Sequence, residues 1–230
     1  MSNNKFENVL FYDENDSGFL RKLIIIIIIF YLLTTSLFFL SGILEINIQT
    51  ILAGVILVFW LLFTILLFIK FHNSSFLNEN FKWIYIPSVF ILAIIEETII
   101  YYNGGGLGGK AKSLEHDLLL AVPVFVGIGV GIYLLHIKRK LNPGEFFVLG
   151  AIQGFLIEII FSGNIAFILI LGGGAMGIYG AMMACFAPAQ EDNTKTSKQL
   201  IINLLLGTIL CFIFVIVGAI IGDNLYNAIS

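Results

Sequence analysis

Charge is what this sequence has least of. Lys, Arg, Asp and Glu make up 12% of its 230 residues, about half the share of a soluble domain. So few charges cannot cover a water-facing surface of this size, and lipid must replace water over much of the chain. Cysteine is scarce as well. Cys185 and Cys211 both lie in apolar runs, which excludes a disulfide framework or a cysteine-rich metal site and reads as small packing residues. A net charge of −3 offers no basic surface, and so predicts no nucleic-acid partner. Histidine is limited to His72, His116 and His136, so imidazole chemistry has few places to occur.

What the chain has in plenty is apolar length, with 59% hydrophobic residues. A spanning helix needs ~20 mostly apolar residues. Seven runs qualify: Leu23–Leu44, Ile48–Ile69, Ile84–Tyr102, Leu118–Ile137, Phe146–Phe161, Ile165–Ala187 and Leu200–Gly222. The expected fold is an all-α polytopic transmembrane bundle. It divides into a polar cytoplasmic tail (1–22), a single membrane domain (23–222) and a short outer tail (223–230). The fifth run is short, and merging or dropping it would leave six spans. The Ser162-Gly163-Asn164 turn favours a helical hairpin instead.

Lys and Arg set the direction, because cytoplasmic loops hold the excess of these residues. Lys5, Arg21, Lys22, Lys70, Lys82, Lys138, Arg139, Lys140, Lys195 and Lys198 fall on one side of a seven-span chain, and Lys110 and Lys112 on the other. The N-terminus is therefore expected inside and the C-terminus outside, in the cell membrane of a prokaryote. No A-x-A-like cleavage site follows the first run, which reads as an uncleaved anchor.

Helices in lipid associate where small residues recur four apart. Gly127 and Gly131, Gly150 and Gly154, Gly173 and Gly177, and Gly218 and Gly222 all have this spacing. Spans four to seven are expected to form a compact bundle, with the first two peripheral. The same glycine faces offer a route to homo- or hetero-oligomers. The Gly172-Gly173-Gly174 run is expected to break the sixth helix, as unwound helices do at transporter sites.

The run Gly104 to Lys110 fits the letters G-x-x-x-x-G-K. A phosphate loop needs a preceding strand and a hydroxyl after the Lys. Here a membrane helix precedes it and Ala111 follows it, so no nucleotide partner is expected. The chemistry-bearing candidates are acids inside spans, which are costly in lipid and mark function. They are Glu96, Glu97 and Glu158. Glu96 and Glu97 point ~100° apart on a helix, and Glu97, which shares a face with Ala93 and Tyr101, is expected to turn inward. Counted from the cytoplasmic ends of their spans, all three acids lie roughly 18–20 Å up a core about 30 Å thick. His116 stands before the fourth span as a proton shuttle or metal ligand, and Asp117 is expected to cap that helix.

Glu96-Glu97 in a span, followed by a His at a helix start, resembles the CAAX-processing and bacteriocin-processing intramembrane glutamic proteases. Of their E-E-x-x-x-R motif this chain keeps the first two letters, with Tyr101 in the Arg position. Their F-x-x-x-H motif meets Lys112 in the Phe position before His116, and Glu158 stands in place of a third histidine. The resemblance implies a membrane hydrolase in which Glu96 or Glu97 activates water, His116 carries the proton and Glu158 adds a second carboxylate. Glu97, His116 and Glu158 are then candidate ligands for a divalent metal ion. Two other readings use the same residues differently. In one, the acids serve a proton- or cation-coupled transporter or channel; in the other, the chain is a non-catalytic assembly subunit.

Overall fold

The computed structural model describes residues 18–71, 74–103, 111–162, 165–188 and 195–229, without the side chains of 160–162 and 165–171. Residues 1–17 of the N-terminal tail, His72, the Gly104–Lys110 run and the Gly163-Asn164 turn lie outside the described residues. Within them the chain forms seven α-helices: α1 (Phe19–Leu44), α2 (Ile48–Phe71), α3 (Ser75–Tyr102), α4 (Leu114–Arg139), α5 (Pro143–Ser162), α6 (Ile165–Ala184) and α7 (Ser197–Ile229). Among the described residues, α1 to α4 and α7 are long and apolar enough to cross a membrane. Helices are the natural answer to this composition, because lipid offers no partner to an open backbone N–H or C=O.

Except for α6, which stops at Ala184, the helices outrun the apolar runs that predict them. Polar residues extend α3 back to Ser75, where the Ser74 hydroxyl accepts from Leu77 N at 3.4 Å. α7 begins at a reciprocal pair: Gln199 N donates to Thr196 Oγ1 and Thr196 N to Gln199 Oε1, at 3.3 and 2.9 Å. α4 ends on Lys140, whose left-handed backbone (φ 50°) closes the helix through its N–H to His136 O. α5 then opens on a capping box. Glu145 N donates to Asn142 Oδ1, and Asn142 N to Glu145 Oε2, both at 2.8 Å. Pro143 supplies the fixed φ that suits a first helical residue.

Two expectations are corrected here. Gly172, Gly173 and Gly174 do not break α6, which runs unbroken from Ile165 to Ala184. These glycines pack rather than unwind: a Cβ on Gly173 would stand 2.5 Å from the Phe30 carbonyl oxygen of α1. Asp117 does not cap α4. Ser113 does, accepting from His116 N at 3.2 Å. Pro123 also departs from the usual place of a proline in a helix. α4 starts at Leu114, which puts the proline in the helix interior and leaves the Leu119 carbonyl without its helical donor. α7 covers that carbonyl closely, since a Cβ on Gly222 would lie 2.5 Å from it.

The glycine faces hold the bundle together. α4 and α7 pack along Gly127, Gly131, Gly218 and Gly222. α5 and α6 pack where a Cβ on Gly150 would meet the Tyr179 carbonyl oxygen at 2.5 Å and one on Gly154 the Ala175 carbonyl oxygen at 2.8 Å. α3 lies on α4, and α5 also touches α7. α1 and α2 are less peripheral than expected. α1 buries Leu20, Ile24, Ile27 and Tyr31, with the Tyr31 ring against Gly177 of α6 and its hydroxyl donating to the Leu57 carbonyl of α2. Trp60 of α2 donates to Ile178 O of α6 at 3.4 Å. The outward sides, such as Ile26, Leu33, Leu66 and Leu205, are apolar and exposed, as lipid contact requires.

Candidate functional site

The end of the bundle that carries the α3–α4 connection is here called the upper end; the α4–α5 turn marks the lower. Acids gather near the upper end. Glu96 and Glu97 of α3 are 2% and 6% exposed, and Asp117 of α4 is fully buried. Both adjacent glutamates are therefore covered, where the sequence favours Glu97 alone. Side chains ~100° apart can both be buried because α3 has α4 along its length and meets α6 as well.

Glu97 lies in side-chain contact with Glu96 and Asp117, and Glu158 of α5 is within electrostatic reach of Glu96. Tyr179 of α6, its ring 4.8 Å from that of Phe125, is within electrostatic reach of all four acids. Close as Glu97 is, neither oxygen of Glu96 finds a hydrogen-bond partner. The chemistry explains the mismatch. An ionised carboxylate only accepts, so neighbouring carboxylates bond to one another only when a proton is present between them. A buried polar atom without a partner is costly, and its retention inside a membrane-type bundle marks a site.

His116 makes its contacts elsewhere. Its Nδ1 accepts from Lys112 N at 3.1 Å, and its ring lies 4.3 Å from Tyr226 of α7. Among the described residues, no three His, Cys, Asp or Glu side chains are gathered as metal ligands.

The lower end holds a second polar cluster that the sequence reading does not single out. Glu145 is fully buried, yet each of its oxygens is satisfied. Lys195 pairs with Oε2 and also donates to the Lys140 carbonyl at 2.8 Å. Asn203 Nδ2 donates to Oε1 at 2.7 Å. Beside it, the His136 ring lies 4.9 Å from Phe81 and 5.3 Å from Phe146. His136 Nδ1 sits 3.1 Å from the Leu141 carbonyl, which can only accept, so this nitrogen carries the hydrogen. The sequence signal for the cluster is Asn142-Pro143-Gly144-Glu145, a capping-box pattern that reads as a plain helix start.

The fold thus defines the class: among the described residues, an all-helical bundle of the membrane-protein kind. No family model matches the chain, and neither does any curated protein or solved structure compared with it. The partial likeness to glutamic proteases gains no support from these comparisons.

Proposed function

We propose that this chain moves protons across a cell membrane, with Glu96, Glu97 and Asp117 as its proton-binding group. The observation that carries the reading is the setting of Glu96: a buried carboxyl that no donor group reaches, set against Glu97 so that only a proton between them can partner it. Such a group holds together by taking up a proton and is strained without one, which is the property a transport site needs. In this reading the chain crosses seven times with its N-terminus in the cytoplasm. The upper end then faces outward, in agreement with the spread of Lys and Arg.

The contacts of His116 with Lys112 and Tyr226 favour this reading over the hydrolase, which needs that ring beside the acids.

The test is flux. Protein reconstituted in lipid vesicles with an internal pH-sensitive dye should dissipate an imposed pH gradient faster than protein-free vesicles. Glu96→Gln should lower that rate by roughly tenfold or more, the scale of losing one charge-assisted hydrogen-bonding group. Equal rates in wild-type and empty vesicles would refute the proposal.

A further inference from the structure

A face of α5 runs between the two polar clusters. Glu145, Leu149 and Gln153 recur every four residues and so lie along one side of the helix. All three meet α7. Glu145 accepts from Asn203, Leu149 fills the space left by Gly207, and Gln153 Nε2 donates to Thr208 O at 3.0 Å. A Cβ on Gly207 would stand 2.5 Å from a Leu149 methyl and 3.0 Å from one of Leu135. Glu158 stands higher on α5, five residues beyond Gln153 or ~7.5 Å along the axis, but on the Gly150–Gly154 side that meets α6.

Gln153 is the telling residue. It is fully buried, and its Oε1 has no hydrogen-bond partner. An apolar side chain of the same size would pack there at no such cost, and an amide with one end anchored on Thr208 presents the other as a fixed acceptor. The donor that such an acceptor suits, in a seam lined by α5 and α7, is water. Glu145 below it is the next group able to take a proton, and Lys195 covers it at the lower end. On this face of α5, Leu149 stands between the two and is fully buried.

We infer that the α5–α7 seam is the lower half of the proton path, with Gln153 as its midway acceptor, Leu149 as a dry plug and the Glu145–Lys195 pair as its closed mouth. This rests on the proton-moving reading above. A proton leaves the upper acids onto water, and that water is oriented by its O–H bond to Gln153 Oε1. The proton passes along water once Leu149 swings aside. It then binds the Glu145 carboxylate, which becomes neutral and releases Lys195. Loss of the proton to the lower side restores the pair, so charge and atoms balance over the cycle.

The vesicle flux assay separates this inference from its parent. Leu149→Ala removes the plug and should raise flux by about tenfold; Gln153→Leu removes the acceptor and should lower it by about tenfold, the rate scale of one buried hydrogen-bond partner. Wild-type flux that depends on Glu96 but stays within about twofold in Leu149→Ala and Gln153→Leu would overturn the path and spare the upper site. Flux that is absent in wild type would instead overturn the parent reading. If Gln153→Leu does not fold, Leu149→Ala alone decides, since its predicted change is a gain.

Discussion

Glu145 shows how a buried charge is tolerated in this bundle, and Glu96 shows the opposite case. Glu145 receives Lys195, Asn203 and the Asn142 N–H; Glu96 receives none. Lys195→Met should therefore destabilise the protein by roughly 1–3 kcal/mol, because it strips a donor from a buried carboxylate. Glu145→Gln in the Lys195→Met background should recover part of that loss, since the two act as one unit. Thermal unfolding in detergent measures both, and additive losses would show that the pair is not coupled. Glu96, Glu97 and Glu158 are legible in the sequence because acids stand out in apolar runs. Asp117 and Glu145 are not. Each lies in the first turn of its helix, where an acid is ordinary, and only the packing of α3 on α4, or of α7 on α5, takes it out of water. Tyr179 carries no sequence signal either, since a tyrosine in a span is commonplace.

At the scale of the helix, glycine decides. Gly154→Leu and Gly177→Leu each drive a side chain into a neighbour, the Tyr179 ring in one case and the Tyr31 ring in the other. Each should cost ~1–3 kcal/mol, the usual penalty of overpacking. Ile26→Leu, at a site 52% exposed toward lipid, should be nearly silent. Equal melting temperatures in detergent for the three variants would contradict the close packing. The faces themselves were readable, because the four-residue spacing has one physical use in lipid. Which helix meets which was not readable. Gly173 and Gly177 turn to α1 while Gly180 turns to Phe147 of α5, and one glycine-rich helix thus serves two neighbours. The same fact explains why the three consecutive glycines do not break α6: a continuous helix lets backbones approach, and that contact replaces the missing side chains. Helix starts were misplaced for a different reason. Hydropathy reports the thickness of lipid, whereas caps at Ser74, Ser113 and Thr196 report where the helix begins.

For the molecule as a whole, direction in the membrane governs every functional statement, because it decides which side the upper acids face and which side the Glu145–Lys195 pair closes. Lys112 and Arg139 flank α4, and both are exposed, while Cys185 and Cys211 are buried and give little background to a thiol reagent. The measurement is labelling of Lys112→Cys and Arg139→Cys in intact cells with a membrane-impermeant maleimide. The account predicts that position 112 is labelled and position 139 is not until the cells are opened. Labelling at 139 in intact cells, or at both positions, would contradict a bundle that crosses the membrane with its acid cluster outward.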